Sequence, residues 1–301
     1  MHNIKDNFDK ILQTIKSFKM DDFDLAGNVN KPGPKPKFTD LELISLALTS
    51  EYMSIDSENL LFKKLNSCHK TDFPNLIDRS QFNRRKKALF DFIDKIRKRF
   101  AEPFLEFEDY MVIDSMPLEV CKISRARRSK ICKDGFRSAP DFGYCASQGL
   151  YFYGYKLHGV CSIHGVFHSI DLTKASVHDN EILKDLNGQL SDTVLIGDKG
   201  YIGKEIQLDL FQTASIKLHT PMRNNQHDYK PFPFIFKKVR KRLETLFSQL
   251  CDQFMIRRNY AKTFDGFRTR ILSKITALTL VQHLNYFVIG RPINQLKHAI
   301  I

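Results

Sequence analysis

A chain of 301 residues with 42% apolar side chains, 14 Gly and 11 Pro can form one large domain or two modest ones, which excludes a disordered or fibrous protein. Its 47 Lys and Arg outnumber 34 Asp and Glu, and a formal charge of +13 favours a polyanionic partner, nucleic acid above all. No apolar run reaches membrane-span length, the N-terminus lacks a signal-peptide core, and the six scattered cysteines form neither a CxxC pair nor a zinc-spaced set; the expectation is a reduced, cytoplasmic protein without a membrane partner.

Phe8, Ile11, Leu12, Ile15 and Phe18 recur at helical spacing, which predicts a first helix. Lys31-Pro32-Gly33-Pro34-Lys35-Pro36-Lys37 cannot continue it and reads as an extended basic linker. Thr39 and Glu42 have capping-box spacing for a second helix. Ser80, ahead of Phe82, Leu89, Phe90, Ile93 and Ile96, suggests the start of another, whose basic face carries Arg84, Arg85, Lys86 and Lys87. Residues 1–106 therefore read as a helical module, with a helix-turn-helix as its DNA-binding form.

The character changes near residue 110. Met111-Val112-Ile113 and Val194-Leu195-Ile196 are short apolar runs, as in strands buried on both faces. Residues 151–172 read as a hairpin turning at His164-Gly165. Helices are predicted over 179–190, 202–212, 236–256 and 267–288, with a strand over 215–219. Strands first, then strand and helix in alternation, indicate a mixed α/β domain over 107–301 with helices on a central sheet. An insertion over 121–150 carries Lys122, Arg125, Arg127, Arg128, Lys130, Lys133 and Arg137 against one acid, Asp134, and reads as a DNA-contacting flap or a merely soluble loop.

Each short buried strand ends in an aspartate, Asp114 and Asp198. A charge there is costly unless paired or metal-bound, and two together suit a divalent cation; isolated turn residues are the plain alternative. Val239, Leu243, Leu246, Phe247, Leu250 and Phe254 form the apolar stripe of the helix over 236–256, with Glu244 and Arg240 on its flank. On spacing alone those two make a solvated surface pair. His178-Asp179 reads as a helix opening with Asp179 as cap, or as a further acid. Tyr260 lies in a basic context, Arg257-Arg258-Asn259-Tyr260, without the Arg and His set of a tyrosine recombinase.

These residues, in this order, resemble the RNase H-like catalytic core of bacterial insertion-sequence transposases with a DDE triad. Asp198-Lys199-Gly200-Tyr201 matches D-x-G-Y, and Arg240 with Glu244 matches part of Y-x-x-R-x-x-x-E-x-x-x-x-x-x-K. Lys237 and Cys251 stand where that signature has Tyr and Lys; Arg257, Arg258 or Lys262 would then supply the phosphate contacts. Ile113-Asp114-Ser115-Met116-Pro117, the Arg-rich stretch after it, Ala175-Ser176-Val177-His178-Asp179 and Arg258-Asn259-Tyr260-Ala261-Lys262 are similar to the insertion-sequence 982 family. The resemblance implies Asp114, Asp198 and Glu244 as catalytic metal ligands, with two Mg²⁺ (or Mn²⁺) ions. It implies cleavage and strand transfer of DNA, a homo-oligomer on DNA, and a nucleoid-associated bacterial protein. A nuclease that does not join and a non-catalytic DNA-binding descendant are the alternatives.

Overall fold

Asn3, Thr39, Ser57 and Asp78 each cap a helix in the first hundred residues of the computed structural model, which describes residues 3–106, 108–146, 148–186, 188–222 and 229–297. The helices they open are α1 (Ile4–Ser17), α2 (Asp40–Tyr52), α3 (Glu58–Cys68) and α4 (Arg79–Ala88), followed by α5 (Phe90–Leu105). At α2 the predicted capping box forms: the Thr39 hydroxyl accepts from Glu42 N–H, and the Glu42 carboxylate accepts from Thr39 N–H. Ser80 is not a cap. Asp78 takes that place, its carboxylate accepting the N–H groups of both Ser80 and Gln81. The single helix predicted after it breaks at Leu89 into α4 and α5.

The chain forms two compact units, one of Met1–Phe100 with Leu250–Ile301, the other Ala101–Gln249. Residues 250–301 thus group with the N-terminal helices, whereas chain order alone places them with the strands. In the first unit α2 packs against α9 (Phe264–His283). Both are buried around almost their whole circumference, including Leu43, Ile44, Leu46 and Leu48 on α2 and Ile275, Ala277, Leu278 and Leu280 on α9. Their polar groups are matched: Glu51 of α2 meets Arg270 and Lys274 of α9.

The second unit is a mixed sheet with flanking helices, the mixed α/β arrangement expected. Its strands are β1 (Tyr110–Cys121), β2 (Asp141–Cys145), β3 (Leu150–Ser162), β4 (Phe167–Lys174), β5 (Val194–Ile196) and β6 (Lys217–His219). Antiparallel β1 and β3 form the centre; β5 and β6 extend the sheet in parallel beyond β1. Along the other edge of β3, β4 pairs with Tyr155–Cys161 and β2 with Leu150–Gly154. The β3–β4 turn falls where predicted: Gly165, at φ +87°, donates its N–H to the Ser162 carbonyl. Met111, Ile113, Val160 and Leu195 from the sheet bury against Ile182, Leu183 and Leu186 of α6 (Ile182–Leu186) and Leu210 of α7 (Lys204–Ala214). The helix predicted over 179–190 is shorter, a 3-10 turn at Asp179–Glu181 leading into α6; residue 187 lies outside the described residues.

β1 is longer than its apolar run. It continues through Asp114, opposite Gly159 of β3, to Cys121. Among the described residues β5 pairs only Tyr110–Val112 of β1.

Candidate active site

The parallel register Met111↔Leu195 and Val112↔Ile196 sets Asp114 and Asp198 side by side, each two residues past the last pair. Asp198 follows the carboxyl end of β5, where ligands on α/β sheets gather, and Asp114 lies within β1 just past the stretch that β5 pairs. The loop after β5 is shaped for the second acid. Asp198 caps a 3-10 turn, Lys199–Tyr201, by accepting the Gly200 N–H. A Cβ at Gly200 would lie 3.0 Å from an Asp198 carboxylate oxygen and 3.1 Å from one of Asp179, so glycine is what leaves these acids room. Tyr201 is buried against Gly197, locking the turn onto the sheet. Within D-x-G-Y, the glycine thus leaves the two acids uncrowded and the tyrosine anchors the turn.

From α8 (Phe234–Asp252), Arg240 reaches in. Its Nη2 lies 3.8 Å from Asp114 Oδ2 and 3.8 Å from Asp198 Oδ2. Leu243, Leu246 and Leu250 bury the apolar stripe of α8, as predicted, and leave Glu244 exposed. The predicted Arg240–Glu244 surface pair does not form among the described residues; Arg240 turns to the aspartates. Glu244 still acts on Asp114 through its charge. Burial pushes the Asp114 carboxyl up to about 7; the Ser115 N–H and Arg240 oppose the shift, while Asp198 and Glu244 add to it.

Asp179 does not cap its turn. His178 does, its ring accepting the Asn180 N–H, while Asp179 pairs with Lys156 of β3 at 2.9 Å. Lys156 also donates to the Val177 carbonyl at 2.8 Å. No local signal marks Lys156, because its partner lies 23 residues on.

The donor chemistry fits a hard divalent cation: two carboxylates converge on one positive charge, and a third lies on the adjoining helix face. Among the described residues no three acidic, His or Cys groups are close enough together to hold an ion, so Glu244 would have to swing inward.

The cations named from sequence are dispersed. Lys122, Arg125, Arg127, Arg128 and Lys130 are all exposed, around a short 3-10 helix (Ile123–Arg128) that Ala126 anchors. In the first unit Arg84 is exposed, but Arg85 is tied to Asp40 at 2.7 Å and to the Phe38 carbonyl at 2.9 Å. Lys86 and Lys87, with Lys262 from far along the sequence, line one cavity of about 340 Å³ with Arg79, Glu58 and Arg270. Lys86 is paired with Glu58 there. Arg257 is exposed beside Cys251, and Arg258 lies 3.6 Å from Asp56. All six cysteines are free thiols. Among the described residues no helix is long and apolar enough to cross a membrane.

Against this geometry, a protein-family profile described as "Transposase DDE domain" matches residues 106–280, more than half of the chain. The chain belongs to the transposase DDE domain family. It is a polynucleotidyl-transferase-type enzyme of DNA transposition, and DDE transposases generally use divalent metal ions. The match spans the whole sheet and continues past Gln249 into α9. No curated protein matches the chain. Two solved structures are similar. "Mos1 transposase paired-end complex with left transposon end" is 13% identical, with 89% of this chain and 86% of that chain covered and a TM-score of 0.22. "Crystal structure of a pre-cleavage Mos1 transpososome" is 11% identical, with 94% and 98% covered and a TM-score of 0.23.

Proposed function

We propose that this transposase cleaves and joins the DNA ends of its own element at Asp114, Asp198 and Glu244, as a member of the insertion-sequence 982 group. The observation that carries the reading is the pair Asp114 and Asp198, side by side on adjacent strands and facing one cation. These carboxylates would hold divalent metal, Mg²⁺ or Mn²⁺, as two ions, with Glu244 completing the set. Bound there, metal supplies charge stabilisation and an activated attacking oxygen for in-line displacement at phosphorus.

The chain's own residues do the rest. Tyr201 and Gly200 fix where Asp198 stands. Burial keeps Asp114 responsive to a cation, since its charged form is unfavourable without one. Arg240 shares its one positive charge between both acids and can turn to a phosphate oxygen of bound DNA. Exposed cations at 122–137, with Arg84, Lys87, Arg257, Arg258 and Lys262, would hold the phosphate backbone, as residues 1–106 engage the element end and copies of the chain pair two ends.

The test uses the full chain, duplexes bearing the element's ends, and Mg²⁺. Asp114→Ala, Asp198→Ala and Glu244→Ala should each abolish cleaved and joined products while DNA binding persists, because phosphate contacts elsewhere carry most of the affinity. Near-normal cleavage by Glu244→Ala would overturn the third assignment; cleaved but never joined products from the wild type would make the enzyme a nuclease.

A further inference from the structure

β2 is a five-residue edge strand, and what it displays is unusual for an edge. Phe142 stands opposite Tyr153 of β3, and Tyr144 opposite Tyr151. Alternation along each strand puts all four rings on one face of the ribbon. The rings of each pair lie 4.9 Å apart, tilted by 55° and 49°. Tyr153, under Phe142 and with Lys133 Nζ 5.7 Å over its ring, is buried. Phe142, Tyr144 and Tyr151 are 45%, 51% and 69% exposed. Phe136, in the segment leading into β2, is 93% exposed, with Lys174 Nζ 5.4 Å from its ring centre.

Closing the sheet does not require this. Edge strands are ordinarily blunted with charge or proline, because an exposed apolar edge invites association. Here the face keeps three open aromatic rings, in the unit that bears the candidate catalytic acids.

The surroundings say what would cover it. The segment 122–137 has seven cations against one acid, Asp134, and those cations are exposed. Asp141, the other acid at the hairpin, is engaged with the Phe142 N–H. A protein partner's contact core would be depleted of charge around the rings. Aromatic rings bordered by Lys and Arg are the composition that grips an unpaired nucleic-acid strand: bases stack on rings and phosphates meet cations. Duplex DNA hides its base faces, so only unpaired bases fit such a surface.

We propose that the outer face of the β2–β3 hairpin is a stacking platform for unpaired DNA bases, taken up by Phe142, Tyr144 and Tyr151 in a row, with the flanking cations on the phosphates. This rests on the reading of the chain as a DNA-processing enzyme and adds a preference that reading does not contain. Strand cleavage leaves chain ends whose terminal bases can unpair, and the platform would hold them.

The test compares binding of a labelled single-stranded oligothymidylate with binding of a random duplex of equal length. It uses the full wild-type chain and the Tyr144→Leu/Tyr151→Leu double variant, which keeps apolar bulk but removes the rings. Sedimentation of both proteins and their circular-dichroism spectra accompany it. The double variant should keep its spectrum, lose about tenfold or more in affinity for the single strand, and change little on duplex. The chain has no Trp, so tyrosine emission reports directly and should be quenched by oligothymidylate in the wild type. Unchanged single-strand affinity, or equal loss on both DNAs, overturns the platform and leaves the general DNA reading standing. Absence of binding to either DNA overturns both. A wild-type dimer that Tyr144→Asp/Tyr151→Asp dissociates, with single-strand affinity intact, makes the face a contact between copies instead.

Discussion

Arg240 lies 3.8 Å from Asp114, its Nη2 facing the carboxylate Oδ2. The same nitrogen is equally far from Asp198, so one cation is shared between both candidate ligands. At that separation the attraction is modest, about 1 kcal/mol for a partly exposed pair. A strong pair would compete with metal; a weak one yields.

Arg240→Gln should therefore lower stability in EDTA by about 1 kcal/mol and should increase the stabilisation produced by Mg²⁺, because the metal no longer displaces a cation. Thermal melts with and without millimolar Mg²⁺ measure both effects. Identical Mg²⁺-induced shifts in wild type and variant would show that Arg240 and metal do not share the site.

Chelation supplies the second check. EDTA should stop cleavage and joining, Mg²⁺ or Mn²⁺ should restore them, and Ca²⁺ should support DNA binding with little chemistry. Full activity in EDTA removes the metal from the reading.

The exposed run around the 3-10 helix at Ile123–Arg128 makes a third prediction. Arg125, Arg127 and Arg128 have no ion pair among the described residues, so they are available to phosphate. Replacing all three with Ala should flatten the slope of log affinity against log salt by roughly two to three units, on all sequences alike. An unchanged slope would leave the run free in solution.

His158 gives a pH dependence of stability. It is buried on β3, donating or accepting at Nε2 with the Thr173 hydroxyl at 2.8 Å, while Nδ1 is buried without a hydrogen bond. Burial holds its pKa down to about 4; Asp179 opposes the shift and Lys156 adds to it. A base with a depressed folded pKa binds its proton more readily when unfolded. Its contribution is therefore full above the unfolded value near 6.5 and is lost as pH falls from there toward 4. The loss amounts to about 3 kcal/mol. His158→Gln should flatten urea stability across that window; a variant as acid-sensitive as the wild type would assign the effect elsewhere.

In the first unit Glu51 is the carboxylate that meets both Arg270 and Lys274, and all three are buried. Burial lowers the Lys274 pKa and Glu51 counters it. Glu51→Gln leaves two buried cations facing each other and should cost about 3–5 kcal/mol in urea unfolding. A loss below about 1 kcal/mol would mean that water already reaches the cluster.

Much of this architecture is legible in sequence because its signals are local. The Thr39–Glu42 capping box needs four residues, the buried strands before Asp114 and Asp198 need three apolar residues each, and the cationic run at 122–137 is a matter of composition. The error at Ser80 is local as well: Asp78, two residues earlier, has the better acceptor. What the tertiary structure alone decided are pairings between distant segments. It turned Arg240 from a helix-surface partner of Glu244 into the counter-ion of two strand aspartates. It tied Lys156 to Asp179, brought Lys262 to the cavity of Lys86 and Lys87, and grouped residues 250–301 with the first hundred. Periodicity and caps report hydrogen bonds made within a turn or two of the chain, whereas the direction a long charged side chain takes is chosen by whichever opposite charge folding brings near.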